Sequence, residues 1–163
     1  MTKLDAINLF TNLNKLGEMV GVKFAYAVSK NLGLLKTEIE SLDKARIASK
    51  EYQEFDALRI KMVEKYSKKN KDGKPIMKDN VYEIENQMAV DKEFEALKLE
   101  HKEVFDARIK QIDEFNELLK TDSSVVLYTI PLSYVPEGIT VAQMYSIALI
   151  INEEIPSPYK DKV

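Results

Sequence analysis

The chain has 163 residues, of which 45% are hydrophobic and 31% are charged, and its formal net charge is −3 at pH 7. This length fits one domain, or a small domain with an extended element, and the apolar fraction argues against global disorder. There is no cysteine, which excludes disulfides and thiolate metal sites, and the acidic balance offers no general attraction to nucleic-acid phosphates.

The first sixteen residues predict a short helix. Thr2 or Asp5 can cap it, and apolar side chains recur at helical spacing up to Leu16. Gly17 and Gly21 bracket the sequence GEMVG and predict a break, because glycine is a poor helix-interior residue. The start MTKLDAINLF lacks the continuous apolar stretch of a signal peptide, and no run approaches the roughly 18 apolar residues of a membrane helix.

A single long helix is predicted over residues 23–68, since apolar residues there recur in steps of three and four. At about 1.5 Å per residue it would span roughly 65 Å, so it needs a partner along its length. Residues 91–120 are predicted to be that partner, with Asp91 as N-cap. The predicted fold class is mainly α, with a long antiparallel helical hairpin that resembles a coiled coil.

The connection between the two long helices is rich in lysine. Residues 61–80 contain seven lysines and three acidic residues, with one glycine, and no G-x-x-x-x-G-K-[ST] motif is present. We therefore predict a solvated bend over 67–80, and the alternative is a site for an anionic partner. The following VYEIEN (81–86) either pairs as a short strand with KPIM (74–77) or simply crosses over.

The last forty residues predict a strand–turn–helix module. SSVVLYTIPL (123–132) is β-branched and aromatic like a strand, and PEG (136–138) predicts a turn. Thr140 and Gln143 form a capping box for the apolar helix VAQMYSIALII, and IPSPYKDKV is predicted to be a tail. The predicted domains are residues 1–122, the hairpin with its N-terminal helix, and residues 123–163.

The sequence predicts no catalytic, cofactor or metal site. His101 is the single histidine, and a carboxylate-bridged di-iron bundle needs two Glu-x-x-His pairs. The residue three before it is Lys98, no G-x-S-x-G motif exists, and the carboxylate pairs lie among lysines as on a solvated face. We expect a protein that is not an enzyme and needs no cofactor, with His101 in a core or an interface.

The candidate interaction residues belong to two stretches. In AYAVSKN, Tyr26 and Lys30 are one helical turn apart, and the C-terminal module concentrates tyrosine, methionine and branched apolar residues of the kind enriched in interfaces. The alternatives are ordinary boundary positions in the first stretch and closure of the domain's own core in the second. The candidates are Tyr26, Lys30, Tyr128, Ile130, Tyr134, Met144, Tyr145 and Leu149.

Three segments carry a resemblance to known proteins: KFAYAVSKNLGLLKTEIESL (23–42), EKYSKKNKDGKP (64–75) and ITVAQMYSIALII (139–151). Together they resemble small uncharacterised proteins of tailed bacteriophages, which share a charged helical hairpin with a D-G-K-type bend and a short hydrophobic C-terminal module. The resemblance implies a phage or prophage origin, and it transfers no catalytic residue.

Two functions follow as expectations. The first is a structural or assembly protein that forms a homo-oligomer and contacts other viral proteins, in the host cytoplasm or the virion. The alternative is an inhibitor of a host defence or nucleic-acid-processing protein, because residues 81–120 contain eleven acidic and six basic residues that could compete for a basic groove. We expect neither nucleic acid nor membrane as a partner.

Overall fold

The computed structural model describes residues 1–16 and 21–153, and within them it is mainly helical, as predicted. Helix accounts for 65% of the structure, and one small two-stranded antiparallel sheet accompanies it. The helices are α1 (Lys3–Asn14), α2 (Val22–Ala45), α3 (Lys50–Lys65), α4 (Gln87–Glu100), α5 (Lys102–Lys120) and α6 (Val141–Ser146). The strands are β1 (Met77–Lys78) and β2 (Val81–Tyr82), and single 3-10 turns occur at Leu132–Tyr134 and Ala148–Ile150.

Helix α1 begins at a capping box whose N-cap is Thr2, one of the two caps that the sequence predicted. The Asp5 amide donates to the Thr2 hydroxyl at 3.1 Å, and the Thr2 amide donates to the Asp5 carboxylate at 2.9 Å. The bond from the Thr2 amide is the main cause that lowers the pKa of Asp5, and both bonds satisfy amides at the start of the helix. The predicted break at Gly17 and the predicted tail over residues 155–163 lie outside the described residues.

The prediction of one helix over 23–68 is wrong, because the chain leaves the helix between α2 and α3. Ser49 caps α3 by accepting a hydrogen bond from the Tyr52 amide at 3.2 Å. The carbonyls of Arg46 and Ile47 are bonded by two side chains of α5, Arg108 at 3.0 Å and Gln111 at 2.9 Å. A polar side chain that caps a new helix competes with continuation of the old one, and distant donors make the break stable.

The second long helix is also divided. Asn86, and not Asp91, is the N-cap of α4, since its side chain accepts from the Ala89 amide at 3.0 Å. His101 separates α4 from α5 with φ −108° and ψ 31°, and its ring packs half-buried against Phe55 at 5.7 Å between ring centres. The single long antiparallel hairpin of coiled-coil type is therefore not confirmed.

The lysine-rich connection is ordered by backbone hydrogen bonds. Strands β1 and β2 pair antiparallel around Asp79 and Asn80, which both have positive φ, and this confirms the pairing of KPIM with VYEIEN. Positive φ at both central residues is the requirement of a two-residue hairpin turn that matches strand twist. Lys68 joins the pair, since its amide donates to Glu83 and its carbonyl accepts from Ile76. Three short stretches, at Lys68, at residues 76–78 and at residues 81–83, are thus joined by backbone hydrogen bonds. We call this structure the β-arrangement, and it replaces the open bend.

The prediction of a strand over 123–132 is wrong. The segment is extended but lies in no sheet, and its backbone is bonded at isolated points. Asn31 of α2 supplies both bonds at Tyr128: its Oδ1 accepts from the Tyr128 amide at 2.9 Å, and its Nδ2 donates to the Tyr128 carbonyl at 2.8 Å. Further along, Ile130 bridges in parallel with Ile151. At Tyr128, the side-chain amide of Asn31 therefore makes the two backbone hydrogen bonds that a neighbouring strand would make.

The rest of the C-terminal module follows the predicted order with a shorter helix. Gly138, at φ 89°, lies in the predicted turn, and the capping box of Thr140 with Gln143 is present. The helix ends at Ser146 instead of continuing to residue 151, and a 3-10 turn follows it.

Two compact units result. The first comprises the described residues of Met1–Ala45 and Phe115–Val163, and the second comprises Arg46–Glu114. The first unit combines N-terminal and C-terminal residues, as in the hydrogen bond from the Ser123 amide to the Met1 carbonyl at 2.9 Å, and the boundary predicted between residues 122 and 123 stays a prediction. The core of the first unit combines α1, α2 and the C-terminal module: Ala6, Leu9, Leu13, Leu16, Phe24, Ala27, Val28, Leu35, Ile130, Ile147, Ile150 and Ile151.

The second unit has few buried apolar side chains for its length. Only Phe55, Met62 and Val90 are buried there. Nine large apolar side chains of the same unit are exposed: Ile47, Leu58, Ile60, Met77, Val81, Met88, Leu99, Ile109 and Ile112. Small units bury a small share of their surface, so this unit depends on other interactions to keep its form.

Two tyrosines connect the β-arrangement to the helices of the second unit by hydrogen bonds. The Tyr66 hydroxyl donates to Glu93 of α4 at 2.5 Å, and Lys65 donates to the same carboxylate at 2.9 Å. The Tyr82 hydroxyl donates to Glu64 of α3 at 2.7 Å. The pKa of Glu93 is lowered, chiefly by Tyr66 and next by Lys65, and the bond to Glu64 raises the pKa of Tyr82.

These bonds predict how Tyr66→Phe changes the titration of Glu93. Without the hydroxyl we expect the Glu93 pKa to rise toward its ordinary value of 4.5. Because the folded-state pKa is the lower one, the bond stabilises the fold above pH 4.5 and is lost as the pH falls through the folded pKa. Carboxyl-carbon NMR titration measures the shift. Tyr82→Phe is the control, since Tyr82 bonds Glu64, and an equal shift of Glu93 in both variants contradicts the assignment.

Candidate interaction surface

Five side chains of the first unit form what we call the lysine–tyrosine surface: Lys23, Tyr26, Lys30, Tyr128 and Tyr134. The first three project from α2 at spacings of three and four, so they share one face of that helix. All three are exposed, while Tyr128 and Tyr134 of the C-terminal module are half-buried. The surface therefore joins two parts of the chain about a hundred residues apart.

The side chains of this surface contact one another through their rings. The Tyr26 and Tyr128 rings meet edge to face at 5.7 Å between centres, with an interplanar angle of 89°. Lys30 Nζ lies 4.2 Å from the centre of the Tyr128 ring and 5.7 Å from that of Tyr26. Lys23 Nζ lies 4.1 Å from the centre of the Tyr134 ring. Exposed cation–π contacts contribute about 0.5–1 kcal/mol each, enough to bias where the lysine heads lie.

A buried amide underlies the surface. Asn31, which is fully buried, follows Lys30 on α2 and holds the backbone of Tyr128 on both its amide and its carbonyl. Its Nδ2 also donates to the Ala27 carbonyl at 2.9 Å. A buried polar group needs such partners, and here they fix the position of the Tyr128 ring against α2.

The electrostatics of the surface favour a carboxylate ligand. Within residues 1–16 and 21–153, neither Lys23 nor Lys30 has a carboxylate within 4.0 Å. Their ammonium groups lie over faces of Tyr134 and Tyr128, so those faces are covered and cannot stack on a nucleobase. Single-strand nucleic-acid sites rely on open aromatic faces. The two lysines are two helical turns apart, about 10 Å at 1.5 Å per residue, and present their remaining donors outward.

The structure places the eight predicted interaction residues in three settings. Tyr26, Lys30 and Tyr128 come together, and Tyr134 contacts Lys23, a residue that the sequence analysis missed. The sequence did contain a signal for Lys23, since it precedes Tyr26 by three residues and so lies on the same face of α2. Ile130 is buried in the core of the first unit. The remaining three lie on or just after α6, with Met144 half-buried and Tyr145 and Leu149 exposed.

The acidic excess over residues 81–120 is partly neutralised locally. At least six of its eleven acidic side chains lie within ion-pair distance of a lysine: Glu83, Glu93, Glu95, Asp106, Glu114 and Glu117. Exposed pairs of this kind contribute about 0–1 kcal/mol each to stability, but they lower the field that a basic partner would meet. The paired lysines therefore reduce the net negative charge that residues 81–120 present to a partner.

The described part of the chain has neither a metal-binding cluster nor a membrane-spanning helix. Over those residues, no cluster of three histidine, aspartate or glutamate side chains is arranged to hold a metal ion. None of the described helices combines the length and the apolar character that crossing a membrane requires.

Comparison with protein-family models, with curated proteins and with solved structures found no match to this chain.

The contacts of Asn31 predict an effect of Asn31→Ala on stability. The Tyr128 amide and carbonyl would lose both partners, and leaving such groups unsatisfied costs about 1–3 kcal/mol. Chemical denaturation with urea, compared with wild type, measures the loss. Asn14→Ala is a matched control, because Asn14 also donates to the carbonyl four residues earlier, at 2.9 Å, but is exposed and bonds no distant residue in the described part of the chain. We expect the control to change stability by less than about 0.5 kcal/mol. Equal losses would contradict the role of Asn31.

Proposed function

We propose that this chain is a non-enzymatic structural or assembly protein of phage type, which acts through self-association and protein–protein contacts. The observation that carries the proposal is the imbalance in the second unit, where three buried apolar side chains accompany nine large exposed ones. Apolar side chains exposed in such number favour association, since covering them removes apolar area from water at about 25 cal/mol per Å².

The lysine–tyrosine surface supports the second part of the proposal. Tyrosine is enriched among the residues that dominate binding at protein interfaces, because it offers a large rigid ring with a polar end. Lys23 and Lys30, which have no carboxylate within 4.0 Å among the described residues, add charge complementarity to an acidic protein segment. We propose that this surface contacts a protein partner of that kind.

The alternative proposal is an inhibitor that presents acidic helices to a basic groove of a host protein. It rests on the net acidic count of residues 81–120. Because at least six of those eleven acidic side chains already pair with lysines, this alternative has less support than self-association.

The proposal predicts the mass of the protein in solution. We expect size-exclusion chromatography with light scattering to give a multiple of the 18.7 kDa chain mass, at two protein concentrations and at low and high salt. An oligomer held by apolar contacts should persist at high salt, since salt screens charges and does not weaken apolar burial. A mass of one chain under all four conditions would contradict self-association.

A further inference from the structure

The exposed face of helix α2 is basic over residues 22–37. That stretch contains three lysines, Lys23, Lys30 and Lys36, and no aspartate or glutamate, although the whole chain has a net charge of −3. Lys36 pairs with Glu40 at 3.9 Å, whereas within residues 1–16 and 21–153 no carboxylate lies within 4.0 Å of Lys23 or Lys30. The face therefore keeps a local positive charge that the described residues compensate only in part.

Gly33 lies in the middle of this face. It follows Tyr26 by seven residues and Lys30 by three, so it projects on their side of α2, away from the buried side. Its backbone is helical, and among the described residues no atom beyond its chain neighbours and its own helix backbone lies within 4 Å of where a Cβ would be. Alanine would fit there and would favour the helix more. The fold of the first unit thus has no need of a glycine here, and the missing side chain leaves room for a close approach from outside.

We infer that an acidic helix of a partner protein docks along residues 22–37 and comes closest to α2 at Gly33. This inference rests on the proposed contact of the lysine–tyrosine surface with an acidic partner, and it names the form of that partner and the crossing point. Packed helices lie about 8–10 Å apart, depending on the side chains at the crossing, and a glycine permits the shortest distance. Carboxylates seven residues apart on a helix are about 10 Å apart, which matches Lys23 and Lys30.

The charge and the rings of the face distinguish between classes of partner. A second copy that docked through the same face would bring like charges together, so the face does not favour a symmetric contact with itself. A nucleobase needs an open ring to stack on, and Lys23 and Lys30 cover faces of Tyr134 and Tyr128 at 4.1 Å and 4.2 Å from the ring centres. An acidic helix supplies carboxylates to both lysines and apolar contact to the exposed ring of Tyr26.

The second unit offers an open surface of another kind, a groove of about 580 Å³ between α3, strands β1 and β2, and α4. Three of its polar lining groups, Arg59, Tyr82 and Gln87, already bond to carboxylates of this chain. In this they differ from Lys23 and Lys30. The apolar lining residues are Ile60, Val63, Met77, Val81, Ile84 and Val90.

The test measures the binding of a designed helix to the full chain by amide NMR titration. The probe is an alanine–glutamine peptide of about twenty residues, long enough to form a helix in water, with two glutamates seven positions apart. A peptide with lysines at those two positions is the charge control, and a short oligothymidine tests nucleic acid. We expect only the glutamate helix to shift the amides of residues 22–37, and we expect added salt to weaken its binding.

Three variants locate the contact. Lys30→Glu should weaken binding of the glutamate helix at least about fivefold, because it replaces an attraction with a repulsion. Lys44→Glu makes the same charge change about 21 Å further along α2 and should stay within about twofold of wild type. Gly33→Ala should raise the urea midpoint of unfolding, since alanine favours helix, and yet weaken binding at least about threefold, since its methyl group holds the helices apart.

The outcomes separate this inference from the proposed function. A Gly33→Ala protein that binds as tightly as wild type would overturn the inference, while the proposed contact with an acidic partner stands. Equal shifts with the lysine helix or with oligothymidine would show that the face does not select an acidic protein. A lower solution mass for Lys30→Glu would make a second copy the occupant. The absence of any amide shift with the glutamate helix would instead overturn the proposed contact itself.

Discussion

The first unit depends on one buried side-chain amide. An extended segment that lies in no sheet leaves backbone donors and acceptors to be satisfied, and unpaired buried groups are costly. The side-chain amide of Asn31 satisfies these groups at Tyr128 as a peptide group would. Its Oδ1 accepts from the Tyr128 amide, and its Nδ2 donates to the Tyr128 carbonyl. The bond pair sets where residues 125–130 run along α2. It thereby turns Tyr128 toward Tyr26 and Lys30 and directs Ile130 into the core, where it bridges to Ile151.

The second unit is stabilised by different means. Hydroxyl and lysine donors converge on Glu64 and Glu93, and the β-arrangement is closed by backbone bonds around Lys68. Each such contact at the surface contributes little, because water competes for the same groups and salt screens the charges. With three apolar side chains buried, the net stability of this unit from its own packing is small. Covering its exposed apolar side chains by another copy would therefore stabilise the fold and form the assembly at once.

Features of the fold that depend on near neighbours were predictable from the sequence. Both capping boxes span three residues, and the β1–β2 pairing follows from alternation on either side of a two-residue turn. The break between α2 and α3 was predictable only in part: the Ser49 cap is local, but the bonds to the Arg46 and Ile47 carbonyls come from Arg108 and Gln111, more than sixty residues away. The prediction of a strand over 123–132 was wrong for the same reason, since the backbone of Tyr128 bonds to the side chain of Asn31, 97 residues away. Among the site residues, helical spacing identified Tyr26 and Lys30, and only the fold brought Tyr128 to them.

The two surfaces differ in the chemistry of the contact that each can make. The groove is apolar and its polar lining is internally bonded, so a contact there should be insensitive to salt and, if two-fold, should close with two copies. The lysine–tyrosine surface depends on charge and on oriented rings, so a contact there should weaken as salt rises. The groove and the lysine–tyrosine surface have no residue in common, because every residue that lines the groove lies between 59 and 90.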